Sequence, residues 1–334
     1  MPDRPSVLLA LDPAHLALLF PPDLRERLTA AAHVDPTTAV DLRDPGARRP
    51  LAAAEVLVTG WGCPPLTVET LDAAPRLRAV LHTGGSVKYL LPREGWERGL
   101  LVSSAATANA LPVAEYALAM ILLAGKGVLT LAARYRAERR FTLGEVQPHV
   151  GNLGRRVGLI GASRTGRRLI ELLRPHDLDV LLHDPYVDEA EAARLGVRGV
   201  GAAELFRESH IVSVHAPAVP ETHHLVDRAA LASMPDGAVL LNTARGSLVD
   251  HQALTEELVS GRLGAILDVT DPEPLPPDSP LYDLPNVLLT PHIAGSQGNE
   301  LRRLGATAVE ELERLAAGQP LRHRVHQAEL PHAA

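Results

Sequence analysis

Cysteine occurs once in the 334 residues, at Cys63, so neither an internal disulfide nor a cysteine-built zinc cage is available. A reducing compartment is expected. Blocks of one charge sign are also missing: 33 basic residues against 40 acidic give a formal charge of −7, spread along the chain. Nucleic acid or anionic lipid would call for a basic footprint. A small-molecule partner is therefore expected, with no nucleic acid. The first twenty residues are apolar but broken by Asp12, Pro13 and His15, and they lack a basic leading segment and a small-residue cleavage site. No other apolar run approaches, uninterrupted, the roughly 18 residues of a spanning helix. The expectation is a cytoplasmic protein with no membrane partner. Internal repeats and low-complexity segments are absent, and 46% apolar with 22% charged residues removes disordered and collagen-like readings. His223, His224, His323, His326 and His332 lack acidic or cysteine company at ligand spacing, so no metal site is expected.

What is present is a rhythm of short apolar runs and helical patterns, the mark of parallel βα units. Strands are predicted at 6–11, 54–60, 77–84 and 100–105, and again at 156–161, 179–184, 211–216, 238–244, 265–269 and 286–290. Separating the two sets is "LPVAEYALAMILLAG" (111–125), read as a helix buried on most sides, with Pro112 at its first position. Residues 298–318 carry Leu301, Leu304, Ala308 and Leu312 on one stripe of an amphipathic helix that could pack against either half.

"VGLIGASRTG" (157–166) follows the strand, glycine turn and helix order of a dinucleotide fold. There the first glycine makes the turn, the second lets backbone approach a pyrophosphate, and the third lets helix and strand pack closely. Gly161, Ser163 and Gly166 stand at those places; serine is small, and its hydroxyl can donate to a phosphate. The turn alone is weak evidence, since a plain strand–helix connection looks similar. Asp184 adds to it, ending the next strand 18 residues after Gly166, close to the ~20 expected of the acid that binds ribose hydroxyls. A carboxylate there repels a 2′-phosphate, which favours NAD over NADP.

The later strands each end in a polar group: His215, Thr243 with Arg245, Asp268 and His292. Open α/β sheets bind ligands at these strand ends. Arg245, in "NTARGSLVD", suits bidentate recognition of a carboxylate. Glu273 and His292 are the candidates for proton chemistry, because histidine titrates near neutrality and a carboxylate can hold its ring in one orientation. Taken singly, each has an ordinary structural explanation: a surface ion pair, an exposed loop acid and a turn histidine.

Taken in order, "NALPVAEYALAMIL" (109–122), "VGLIGASRTG" (157–166), "HDP" (183–185), "VSVHAPAVPETHHLVD" (212–227), "LLNTARGSLVD" (240–250), "LDVTDPEPLP" (267–276) and "LLTPHIAGS" (288–296) resemble the D-isomer-specific 2-hydroxyacid dehydrogenase family, which includes phosphoglycerate dehydrogenases and glyoxylate and hydroxypyruvate reductases. The resemblance implies an α/β fold of two Rossmann-like lobes. Residues 1–105 and 296–334 would form a flavodoxin-like substrate domain, and 106–295 an inserted, doubly wound NAD-binding domain. It implies that Arg245 binds the substrate carboxylate and carbonyl, that His292 is the acid/base, and that Glu273 pairs with it. Gly161, Ser163, Arg164, Thr165, Gly166, Asp184, His215, Ala216, Pro217, Thr222, Thr243, Ala244, Asp268 and Gly295 would line the NAD site, with Ala244 and Asp268 around the nicotinamide. Backbone amides of Gly84, Gly85, Ser86 and Val87 would hold the substrate carboxylate as an anion nest, with Trp61 beside the pocket, where it could equally pack structurally.

The activity implied is reversible hydride transfer between nicotinamide C4 and C2 of a 2-oxo or 2-hydroxy acid. The long apolar helix resembles the family's dimer element, so a homodimer is expected. Glu273 weighs against a formate dehydrogenase, where glutamine stands. Two further readings use the same triad: an NAD-sensing protein like the family's corepressor branch, and phosphite oxidation. The sequence departs from the family pattern at Ser163, at Thr165 where isoleucine is usual, and at Lys88 where an acid is common.

Overall fold

The computed structural model describes residues 4–141 and 150–332. They form two compact units, the first made of residues up to Ala110 with those from Ser296 onward, the second of Leu111–Gly295.

The first unit is built on a parallel sheet of β1 (Val7–Ala10), β2 (Val56–Thr59), β3 (Ala79–His82) and β4 (Leu101–Ser104), in that spatial order. Its strands are buried on both sides, which is why they read as continuous apolar runs. Period-two alternation divides them: Val56, Val58, Ala79 and Leu81 point to one core, Leu57, Val80 and Val102 to the other. The first core is covered by α1 (Pro13–Leu19), α2 (Pro22–Ala31) and a helix from the far end of the chain, described last. On the opposite core lie α3 (Arg48–Ala53), α4 (Val68–Asp72) and α5 (Arg93–Glu97). A parallel bridge from Ser6 to His33 sets the segment after α2 beside β1, opposite β2. Counting that segment as a strand gives the flavodoxin-like order 2-1-3-4-5.

Next comes α6 (Ala106–Gly125), then α7 (Val128–Glu138). Helix α6 begins five residues before its predicted start, so Pro112 lies inside it and not at its first position. The helix forgoes only the one amide bond that proline cannot donate. With 20 residues and a mean hydropathy of 1.5 over its apolar window, α6 is long and apolar enough to cross a membrane by length and composition. The apolar run within it is interrupted at Pro112 and Glu115. Its Ala114, Ala117 and Ile121 are fully buried in the core of the second unit, as in the core helix of a globular fold.

The second unit carries seven parallel strands: β5 (Arg155–Ile160), β6 (Leu178–His183), β7 (Arg198–Gly199), β8 (Ile211–Val214), β9 (Val239–Asn242), β10 (Gly264–Leu267) and β11 (Val287–Leu289). Their spatial order is β11-β10-β9-β8-β5-β6-β7, a doubly wound sheet that reverses direction between β5 and β8. The connections run through α8 (Arg164–Leu173), α9 (Glu189–Leu195), α10 (Ala202–Glu208), α11 (Arg228–Ser233) and α12 (His251–Val259).

The last helix, α13 (Leu301–Ala316), belongs to the first unit. Leu301, Leu304, Ala308, Val309 and Leu312 are all buried, each leucine contributing roughly 1.5–3 kcal/mol. The stripe predicted from spacing is the stripe that packs. Gly305 allows the closest approach, since a Cβ there would lie 1.9 Å from the Leu19 carbonyl oxygen.

Candidate active site

The reversal between β5 and β8 opens a crevice at the carboxyl ends of these strands, the usual ligand position in such sheets. Gly161 turns there with φ 97°, and a Cβ on it would meet the Ala216 amide nitrogen at 2.7 Å. Only glycine fits that backbone and that spacing. A Cβ on Gly166 would come within 2.2 Å of the Gly161 carbonyl, so the first turn of α8 lies directly on the strand end. Ser163 is the N-cap of α8, its hydroxyl oxygen accepting from Gly166 N at 3.3 Å. The residue that breaks the glycine pattern thus starts the helix, and its own proton is left to donate. Arg164 and Thr165 form the first helical positions, Arg164 exposed.

Asp184, at the end of β6, accepts from Ala162 N at 2.6 Å and from Tyr186 N at 2.8 Å, which ties it to the glycine turn. On the other side, Thr222 Oγ1 donates to the Pro217 carbonyl at 2.6 Å and accepts from Val219 N at 3.0 Å, fixing the turn after Ala216 and Pro217. The Thr243 hydroxyl is buried without a partner among the described residues, a cost that a bound ligand or water normally meets. A glycine cradle a Cβ would fill, a helix N-terminus, a strand-end acid and an orphaned hydroxyl together fit a dinucleotide. His215 directly follows β8 beside the glycine turn. Its ring is only 3% exposed and bonds Ser213 Oγ at 2.7 Å, and burial pushes its pKa down to about 4. Its backbone amide donates to the Ile160 carbonyl at 2.7 Å.

Arg245, Glu273 and His292 extend from the ends of β9, β10 and β11. His292 Nδ1 and Glu273 Oε1 are 2.7 Å apart, which leaves Nε2 as the nitrogen free for chemistry. The Arg245 loop is pinned by buried Asn242, whose Nδ2 donates to the Arg245 carbonyl at 2.8 Å and whose Oδ1 accepts from Ala244 N at 3.0 Å. Next in sequence, a Cβ on Gly246 would lie 2.0 Å from the Thr270 carbonyl oxygen, so glycine allows the arginine loop to rest on the loop bearing Glu273. The exposed Arg245 guanidinium donates through Nη1 to the Ala244 carbonyl at 2.6 Å, leaving further N–H groups available.

Asp268 organises this region. Its buried carboxylate accepts from Thr290 Oγ1 at 2.6 Å, Ile293 N at 2.8 Å and Ala294 N at 2.9 Å, while its carbonyl accepts from His292 N at 2.9 Å. These bonds hold His292 at φ 55°, a left-handed backbone uncommon outside glycine. Thr290 also meets the Tyr116 hydroxyl of α6 at 2.8 Å. Burial raises the Tyr116 pKa, so the phenol keeps its proton and donates to Thr290, which donates in turn to Asp268. Tyr116, Thr290 and Asn242 are functional neighbours that motif reading missed. The signal for Asn242 was available, as a polar residue closing an apolar strand.

In the first unit, Gly84, Gly85, Ser86 and Val87 form the turn after β3. None of their four amides has an acceptor among the described residues, although Gly84 and Val87 are buried. Unpaired buried N–H groups are rare without a ligand, and successive amides make an anion nest. Trp61, 39% exposed, packs edge-on against His15 with ring centroids 5.5 Å apart. Gly295 closes the second unit. Among the described residues no group of three or more potential metal ligands occurs.

Residues 118–294 match the family described as D-isomer specific 2-hydroxyacid dehydrogenase, NAD binding domain. A D-3-phosphoglycerate dehydrogenase of Mycobacterium leprae is 35% identical over 254 residues, covering 75% of this chain and 47% of that one. The chain thus spans about half the length of the phosphoglycerate dehydrogenases it matches. A glyoxylate reductase of Korarchaeum cryptofilum is 31% identical over 259 residues, covering 76% and 78%. Among solved structures, the TT0316 protein of Thermus thermophilus superposes with a TM-score of 0.76 at 31% identity, over 96% of this chain and 99% of that one. With the doubly wound sheet and its glycine turn, these likenesses establish that the chain belongs to the D-isomer specific 2-hydroxyacid dehydrogenase family and carries that family's NAD binding domain.

Proposed function

We propose that the protein is an NAD-dependent 2-oxo acid reductase, reversible as a D-2-hydroxyacid dehydrogenase, acting on a small 2-oxo acid of the kind named for its relatives. The observation that carries this reading is the 2.7 Å contact of His292 Nδ1 with Glu273, whose loop lies against the loop that bears Arg245. When bound, NADH would supply a hydride to C2 of the oxo acid, and the residues that would hold it are Gly161, Ser163, Arg164, Thr165, Gly166, Asp184, Ala216, Pro217, Thr222, Thr243 and Ala244. His292 gives a proton from Nε2 to the carbonyl oxygen as the hydride would reach C2, so that hydride on carbon and proton on oxygen together turn the 2-oxo acid into the 2-hydroxy acid. Glu273 holds the ring and balances the charge of the protonated imidazole. Arg245 places its guanidinium on the developing oxyanion and the carboxylate. In oxidation His292 Nε2 takes the hydroxyl proton instead. The amides of Gly84, Gly85, Ser86 and Val87 take the substrate carboxylate, a reading supported by their lack of acceptors among the described residues.

We also propose a homodimer in a reducing compartment, cytoplasmic and soluble. Leu123 of α6, Val128 and Tyr135 of α7 and the nearby Phe141 are large apolar residues left exposed, which suits cover by a second copy. Cys63 is the sole cysteine.

The test is NADH oxidation by the purified protein against glyoxylate, hydroxypyruvate, pyruvate and phenylpyruvate, with His292→Ala as control. Turnover abolished by that substitution supports the reductase. Tight NADH binding with no turnover of any 2-oxo acid overturns it.

A further inference from the structure

His82 ends β3, one residue before the glycine turn. Its ring lies against Gly84, where a Cβ would sit 2.4 Å from Nε2 and 2.9 Å from Cδ2. The glycine is therefore needed for the imidazole as well as for the turn. Nδ1 is 2.9 Å from Thr59 Oγ1, and this contact fixes the tautomer. Thr59 is completely buried and its hydroxyl meets no other partner among the described residues. Were Nδ1 the donor, the threonine proton would be left buried without an acceptor, at a cost of about 1–3 kcal/mol. Thr59 consequently donates to Nδ1, and the ring proton resides on Nε2. Nε2 has no acceptor among the described residues, and His82 is only partly buried. Burial pushes the imidazole pKa down to about 4, so the ring is uncharged at neutral pH.

We infer that His82 is a substrate-binding residue whose Nε2–H, set against Gly84 at the head of the run of unpaired amides 84–87, donates a further hydrogen bond to the carboxylate of the 2-oxo acid. The inference rests on the reading of that turn as the carboxylate site. A donor bonded to a charged acceptor contributes about 1.5–3 kcal/mol, which is roughly 10- to 150-fold in affinity.

Two conservative variants separate binding from structure. His82→Gln returns an N–H near the Nε2 position and gives up the Thr59 contact. His82→Asn keeps a partner for Thr59 and gives up the distal donor. His82→Phe preserves shape and removes both. Steady-state kinetics with glyoxylate, and calorimetric titration of oxamate into the NADH-saturated protein, read the effect. The expected result is a KM and an oxamate Kd raised at least tenfold in His82→Phe and His82→Asn, substantial recovery in His82→Gln, and kcat within about threefold throughout. Wild-type oxamate affinity in His82→Asn, with a loss in His82→Gln tracking the melting temperature, would make His82 a structural residue and overturn the inference. Wild-type protein that binds no oxamate and reduces no 2-oxo acid would remove the carboxylate reading of the turn, and this inference with it.

Discussion

Replacing Asp268 by asparagine tests whether the position of His292 is held by a buried charge. The carboxylate receives three donors, two on Oδ1 (Thr290 Oγ1 and Ile293 N) and one on Oδ2 (Ala294 N). Asparagine keeps its carbonyl for the pair on Oδ1, but each of those bonds falls from the charged class, about 1.5–3 kcal/mol, to the neutral class, about 0.5–1.5 kcal/mol. Its NH2 group then meets the Ala294 N–H donor to donor, leaving a buried amide unpaired at about 1–3 kcal/mol. The expected loss is about 3–6 kcal/mol, which for a unit of this size corresponds to roughly 6–24 °C in melting temperature. The same substitution frees His292 from its left-handed backbone, so kcat should fall by about tenfold or more beyond any loss of folded protein. Thermal melts of the NADH-free protein and turnover at a temperature well below both transitions are the assays. A variant that melts within about 2 °C of wild type, well inside the expected shift, and keeps its kcat would refute the claim that this carboxylate holds the loop.

Buried His215 makes acid stability predictable: with a folded pKa of about 4 against the ordinary 6.5, its proton binds the unfolded chain first, so its contribution is intact above pH 6.5 and is lost as pH falls toward 4. Melts from pH 7 to 5 should show a loss of roughly 2 kcal/mol from this group, and His215→Gln should flatten that slope; an unchanged slope would exclude His215 as its source. Gly161→Ala places a Cβ against the Ala216 amide on a φ of 97°, and NADH fluorescence titration should show binding weaker by about tenfold or more. Arg245→Lys keeps the charge but loses the planar fork, so kcat/KM for the preferred oxo acid should drop about 100-fold or more, whereas near-wild-type kinetics would remove Arg245 from the proposed chemistry.

Much of this architecture is legible in the sequence because parallel strands buried on both faces have no choice but to be apolar. The edges are not. β7 is only Arg198–Gly199, exposed, and two such residues leave no hydrophobic trace; the His33 bridge beside β1 is equally silent. The early start of α6 was hidden by Pro112, which punctuates the sequence without ending the helix. Within the site, Glu273 and His292 were named from their loops, and the structure brings them together. The roles of Asp268 and His82 depend on which hydrogen bonds each side chain has already spent. Spacing along a chain carries no record of that.

The first unit takes α13 from beyond the whole of the second. During synthesis the second unit is contiguous and complete in sequence before α13 leaves the ribosome, while the first must wait. Until then Leu16, Leu19, Phe20, Leu24 and Leu28, which end up beneath α13, lack their cover. Closing that gap late in translation brings together segments far apart in the chain, though the entropic cost rises only with the logarithm of the separation. The order of assembly is therefore written into the topology: the NAD-binding unit can fold as it emerges, and the first unit is finished last.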